Sequence, residues 1–177
     1  MSKRNILNIL DTLAIVGLIV ALCVAFVYQF LLHELPCALC VFERMALCLM
    51  SFGLILNLSH GNQSKHYFFV SIVAVLNASM SLVQILLHIV PGTGNYGDAI
   101  LSLHMYTWGF VISILFIVYS SIFGLLSPNE KSNNKINIVY KVIIILIILL
   151  SLMNTVNVFV ECGPYLCPSD PTKYWLF

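Results

Sequence analysis

Residues 21–58 read ALCVAFVYQFLLHELPCALCVFERMALCLMSFGLILNL. Two long apolar runs meet at a short junction that carries Cys37-Ala-Leu-Cys40, and this arrangement decides the class of fold. A bilayer-crossing helix needs roughly 20 predominantly apolar residues, and the runs on both sides of the junction approach that length.

The rest of the chain follows the same pattern. Of its 177 residues, 60% are hydrophobic and 8% charged. The mean hydropathy is +1.00, which leaves too little polar surface to cover a water-soluble globule. Five apolar runs are expected to span a membrane: Thr12–Leu32, Val41–Leu58, Tyr67–Val90, Tyr106–Leu126 and Ile138–Val160. The expectation is an all-α membrane protein, a bundle of five transmembrane helices forming one integral domain over residues 1–177.

Lys and Arg accumulate on the cytoplasmic side of short loops. Placing the N-terminus inside puts Lys3, Arg4, Lys65, Lys131, Lys135 and Lys141 in or near the cytoplasm and leaves Arg44 and Lys173 outside. The opposite orientation inverts that split, so the N-terminus is predicted inside and the C-terminus outside. Cys37, Cys40, Glu34, Asp98, Glu161 and Asp170 then lie outside. The first run is longer than a secretory signal and ends without a small-x-small cleavage pattern, so it reads as an uncleaved helix.

The connections are short. Residues 59–66 and 127–137 read as polar cytoplasmic linkers. Pro91–Met105, outside, opens with Pro-Gly-Thr-Gly-Asn-Tyr-Gly, and the following Ala99–His104 is expected to lie as a short interfacial helix. Residues 161–177 form an outside tail. Tyr106, Trp108, Tyr165, Tyr174 and Trp175 read as an aromatic belt at the headgroups. There is no internal repeat, nucleic-acid signature or soluble second domain.

The cysteines are segregated. Four of six fall outside the membrane as two close pairs, Cys37/Cys40 and Cys162/Cys167, while Cys23 and Cys48 lie inside spans as apolar packing residues. Two thiols separated by two residues open and close as an exchangeable disulfide, one attacking and the other resolving. A static structural disulfide is the alternative for each pair, with more weight at Cys162/Cys167, where closing so small a ring constrains the unfolded tail by about 2 kcal/mol. Arg44 is costly at the top of a membrane helix unless it snorkels or finds a partner, and Glu43 is its neighbour in the chain. Cys40 and Arg44 are four residues apart, so a helix beginning near Cys40 places them on one face. A fixed positive charge there favours a Cys40 thiolate and the negative charge developing on an electron acceptor.

Pro36-Cys37-Ala38-Leu39-Cys40-Val41-Phe42-Glu43-Arg44 resembles the signature of the DsbB family, bacterial inner-membrane proteins that reoxidise the periplasmic thiol oxidase DsbA and pass electrons to quinone. Leu101-Ser102-Leu103-His104-Met105-Tyr106-Thr107-Trp108 is similar to the family's Leu-x-Leu-x-Met-x-x-Trp lead-in to its fourth helix. The resemblance runs from about residue 10 to 126. It implies a four-helix core over 10–126; beyond it the chain reads as an added helix over 138–160 and, from location rather than motif, a periplasmic redox tail over 161–177. It also implies that Cys40 lies next to a quinone ring, ubiquinone or menaquinone, that Cys37 is its disulfide partner, and that Arg44 supports quinone reduction. The chain departs from the family in one respect. Better-known members carry the second cysteine pair between helices three and four, where Pro91–Met105 has none, and here a fifth helix delivers Cys162 and Cys167 instead.

The expected partners are a DsbA-like thiol oxidase and membrane lipid. His88 and His104 lie near the outer surface, where either can hydrogen-bond a quinone oxygen or simply a water; they are too far apart in sequence, with no third ligand, for a metal site. Of the two, His88 is the better quinone-binding candidate. Competing readings are a membrane assembly protein with structural disulfides, which leaves the Cys40/Arg44 face unexplained, and a carrier moving reductant outward, which lacks a redox pair within reach of the cytoplasm. An enzyme of the vitamin K epoxide reductase type normally carries its Cys-x-x-Cys late in a four-helix bundle rather than after the first span.

Overall fold

In the lipid interior every backbone N–H and C=O needs an internal partner, so apolar runs of this length fold as helices. The computed structural model describes residues 3–90, 97, 99–129, 138–165, 167 and 173–176. Five helices long and apolar enough to cross a membrane account for most of them: α1 Lys3–Leu31, α2 Ala38–His60, α3 Ser64–His88, α4 Met105–Leu126 and α5 Ile138–Cys162. The chain is a multi-pass membrane protein.

All five expected spans are present, with ends that differ. The first helix begins at Lys3 rather than Thr12 because its opening turns have an inner face, on which Leu7 and Asp11 are buried. At its N-terminus α2 is capped by Cys37, whose extended backbone presents Sγ to the amide of Cys40 at 3.1 Å. Gly61, at φ 93°, closes its other end and donates its amide to Asn57 O at 2.9 Å.

The packing is asymmetric. In the core, α3 lies between α2 and α4, α1 packs on α2, and α5 docks on α2 with a smaller edge on α1. Ile15, Leu18 and Leu22 of α1 meet Met50 and Leu54 of α2, Tyr67, Val70 and Ala74 of α3, and Ile143 and Ile147 of α5. Large apolar side chains elsewhere face outward along every helix, as a lipid-facing surface requires. In α4 the buried residues are Tyr106, Ser113 and Ser120. It holds to α3 through Asn77 Nδ2, which donates to Ser113 Oγ at 2.8 Å, and through the Ser71–Ser120 hydroxyl pair at 2.6 Å. Small and hydroxylated residues at such seams let helix backbones approach where there is no hydrophobic drive between helices.

A polar knot ties the helices together at the end away from Cys37 and Cys40. Asp11 is fully buried, and its carboxylate accepts from Tyr67 Oη (2.9 Å), Tyr119 Oη (2.6 Å), Asn57 Nδ2 (3.2 Å) and Asn62 Nδ2 (3.0 Å). The 59–66 turn is therefore not the plain solvated linker expected. Asn62 and His66 are buried, and His66 Nδ1 lies 2.9 Å from Asn57 Oδ1. A second correction concerns Ala99–His104, a two-stranded antiparallel hairpin rather than an interfacial helix, pairing Ala99 with His104 and Ile100 with Leu103. Leu101 and Ser102 take φ of 49° and 68°, the left-handed pair that a tight hairpin turn requires and a helix forbids. Trp108 Nε1 fixes the hairpin by donating to Ile100 O at 3.0 Å. Asp98, Asp170 and most of the 127–137 linker lie outside the described residues.

Candidate redox site

The site begins where α1 hands the chain to α2. Pro36 and Cys37 precede the first helical residue, and a disulfide joins Cys37 to Cys40 with their Cα atoms 5.0 Å apart. The pair is unequal. Cys37 is 5% exposed, whereas half-buried Cys40 forms part of the wall of a cavity. Donors converge on the sulfurs: the Cys40 amide on Cys37 Sγ, and Gln84 Nε2 of α3 on Cys37 Sγ at 3.2 Å and Cys40 Sγ at 3.4 Å. N–H donors at a helix N-terminus favour a thiolate over a thiol once the bond opens.

One turn into α2, Arg44 is buried rather than snorkelling. Its guanidinium donates to Gln29 Oε1 at 2.5 Å and to Ala25 O at 3.1 Å and lies over the Phe26 ring, 5.1 Å from the centroid. These partners come from α1. Glu43 points the other way and accepts from Ser81 Oγ of α3. A Cβ on Gly109 of α4 would come within 2.9 Å of Ser81 Oγ and 3.2 Å of both Glu43 oxygens, so glycine is what lets α4 close over this contact.

Cys40, Glu43, Arg44 and Gln84 thus edge one cavity of about 270 Å³, closed otherwise by Tyr28 and Leu35 from the α1 side and by Met105, Tyr106, Trp108 and Ile112 of α4. The i, i+4 expectation for Cys40 and Arg44 is met in that both line this space. Two buried acceptors in its surroundings, Gln84 Oε1 and Asn77 Oδ1, have no hydrogen-bond partner among the described residues.

The histidines converge. His88 and His104 stack on Tyr106, with ring centroids 5.3 and 5.4 Å from it. Tyr106 faces the cavity, so His88 stands beyond it, its Nδ1 2.8 Å from Gln84 O.

The second pair lies at the same end of the bundle. Cys162 ends α5 and is buried, and its disulfide to Cys167 spans 4.9 Å between Cα atoms. The returning tail caps the helix, because Trp175 N donates to Glu161 O at 3.0 Å and Leu176 N to Val160 O at 3.3 Å. Gly163, at φ 62°, turns the chain, and a Cβ there would meet the Trp175 ring at 2.6 Å. Tyr174 Oη lies 3.5 Å from Gln29 Nε2. Gln29 therefore touches both the tail and Arg44. Tyr106, Trp108, Tyr174 and Trp175 have specific partners and are more than a headgroup belt, while Tyr165 is exposed.

Gln29, Ser81, Gln84 and Glu161 were not singled out from the sequence as site residues. Their signal is the one that marks Arg44: a polar side chain inside or at the end of an apolar run needs a partner.

A five-helix membrane bundle with a Cys-x-x-Cys disulfide at the wall of an apolar cavity, and a second disulfide docked at the same end, fits a membrane protein of disulfide formation. A sequence model described as Disulfide bond formation protein DsbB matches residues 8–97, just over half of the chain, and the chain belongs to that family. Helix α5, the Cys162–Cys167 pair and the Leu101–Trp108 stretch lie beyond the matched residues. Comparison with curated proteins and with solved structures returned no match.

Proposed function

We propose that this protein is a quinone-dependent protein thiol oxidase of the bacterial inner membrane, which reoxidises a periplasmic DsbA-like protein through two cysteine pairs. The observation that carries the reading is the shared position of Cys40 and Arg44 on the wall of an apolar cavity, with the Cys162–Cys167 tail tied to that same end through Gln29.

The residues fit a quinone headgroup. The cavity volume is just under the range of small-molecule sites, roughly 300–1,000 Å³, which suits a planar ring whose tail stays in lipid. Its walls are largely apolar, and the unpartnered Gln84 Oε1 and Asn77 Oδ1 can accept from ring hydroxyls. A bound quinone supplies a sink for two electrons and two protons. Arg44 would bind and orient its oxygens, and His88 would act on the site only through the Tyr106 ring on which it stacks.

The electrons move in balanced steps. A partner dithiol reduces Cys162–Cys167 and leaves as a disulfide. The Cys162/Cys167 dithiol then reduces Cys37–Cys40 and closes again. Cys37 and Cys40 re-form their bond as two electrons and two protons leave for the acceptor. In this order Cys37 is the sulfur that exchanges with the tail and Cys40 the one that faces the acceptor. The basic-residue split supports a cytoplasmic N-terminus, which would put both pairs in the periplasm.

The test is partner oxidation per folded, quinone-loaded protein in a Cys162→Ser/Cys167→Ser double variant. The reading expects quinone binding at Cys40 to persist while oxidation of a DsbA-like substrate fails. Near-normal turnover would leave Cys37/Cys40 as the working pair and the tail disulfide as a structural staple.

A further inference from the structure

Gln29 lies in the apolar run of α1 and is 1% exposed. A side-chain amide in such a place is costly unless its ends find partners. Its Oε1 accepts from Arg44 Nη1 at 2.5 Å, and its Nε2 faces the Tyr174 hydroxyl at 3.5 Å. The oxygen end of the amide is therefore the one turned to the guanidinium. One turn earlier on the same face of α1, Ala25 O accepts from Arg44 Nη2 at 3.1 Å. The guanidinium carbon stands 5.1 Å over the centroid of the adjacent Phe26 ring.

The three groups by which α1 holds Arg44 are thus an amide, a backbone carbonyl and a ring face, none of them charged. A glutamate has the length of a glutamine and binds a cation more strongly. The difference lies in what happens to the charge. An amide oxygen fixes the direction of the guanidinium without cancelling it, whereas a carboxylate in contact compensates it strongly where water is excluded. Gln29 is not part of the cavity wall, while Arg44 and Cys40 both are. The charge that α1 holds from behind is the charge the cavity meets.

We infer that Gln29 is a positioning residue, a neutral acceptor that aims the Arg44 guanidinium at the cavity and leaves its charge available to Cys40. The inference deepens the proposed function and rests on it in taking Cys40 as the sulfur that faces the acceptor. A plain tie between α1 and α2 would be served as well or better by a carboxylate, and this separates the two roles.

The experiment reads Cys40 and needs no quinone. In full-length, quinone-free protein carrying Cys37→Ser, with Cys162–Cys167 oxidised, iodoacetamide alkylation of Cys40 is timed at fixed pH by peptide mass spectrometry, and stability is followed by unfolding in mixed micelles. Gln29→Glu should keep or raise stability yet slow Cys40 by about threefold or more, the usual scale of coupling between neighbouring groups. Gln29→Met keeps the length, removes the acceptor and leaves the Arg44 charge present but less directed. Its Cys40 rate should be intermediate, and the loss should vanish when Arg44→Gln is also present. Buried Cys48 in the same digest serves as the control, because a disturbed bundle would change both rates. A parent Cys40 rate in Gln29→Glu or in Gln29→Met, a loss in Gln29→Met that survives Arg44→Gln, or a parallel change at Cys48 would each overturn the inference. If wild-type protein failed to reduce quinone while these rates moved as stated, the functional reading alone would fall.

Discussion

Gln84 Nε2 lies 3.2 Å from Cys37 Sγ, so α3 donates a hydrogen bond to a disulfide that α2 carries. The donor gains strength when the sulfur becomes a thiolate, and a hydrogen bond to a charged group contributes roughly 1.5–3 kcal/mol. Gln84→Met keeps the volume and removes the donor. The Cys37–Cys40 couple should become harder to reduce, its potential moving down by about 30 mV or more, at about 1.4 kcal/mol per 30 mV for two electrons. Equilibration with defined thiol buffers, followed by thiol labelling, checks this.

Arg44 donates to Gln29 and Ala25 from a planar fork that lysine lacks. Arg44→Gln should slow quinone reduction by about ten- to a hundredfold, the rate equivalent of a lost charge-assisted contact, with the protein still inserted. Arg44→Lys should retain an intermediate rate, because charge survives without the fork. Quinone kinetics in purified, inserted variants decide the matter, and an unchanged rate in Arg44→Gln would reduce the residue to a helix tie.

The basic residues predict sidedness. After reduction, Cys162 and Cys167 should react with a membrane-impermeant thiol reagent added to intact spheroplasts, and a cysteine introduced at Ser64 should not. Labelling of the tail only after membrane disruption would place it in the cytoplasm and break the relay.

Asp11 accepts from four side-chain donors on three other helices and the turn between two of them. Interhelical hydrogen bonds in membranes average about 0.6 kcal/mol each, so Asp11→Ala should lower stability by about 2 kcal/mol. Being at the far end of the bundle, it should leave quinone reduction per folded molecule unchanged. Unfolding in mixed detergent micelles measures the first quantity and single-turnover kinetics the second.

Gly163 combines a left-handed backbone with the Trp175 ring against its Cα. Gly163→Ala should displace the tail, seen as altered Trp fluorescence and faster proteolysis near residue 173, and should lower partner oxidation more than quinone reduction by chemically reduced Cys37/Cys40.

The five helices were legible because a membrane span announces itself through length and hydropathy alone. The two disulfides were legible through spacing. Partner choice inside the bundle was not, because it depends on the rotation of each helix about its axis: Gln29, Ser81 and Gln84 read as isolated polar residues until α1 and α3 turn them toward Arg44, Glu43 and the sulfurs. The shared stacking of His88 and His104 on Tyr106 was hidden for the same reason. Ala99–His104 misled because its apolar residues suit either a helix or a strand, and the choice is made by two residues at positive φ and by the indole of Trp108.

The enclosure of Cys37 bears on selectivity. One sulfur of the first disulfide is buried beneath Gln84 of α3, and the other lines an oily chamber. In the proposed relay that enclosure favours a reductant tethered to the same chain over small hydrophilic thiols in the surroundings. In that proposed circuit the half-exposed Cys167 is the terminal presented to a partner, and the buried sulfur is an insulated junction, guarded against short circuits that would drain the acceptor without making a disulfide in any client protein.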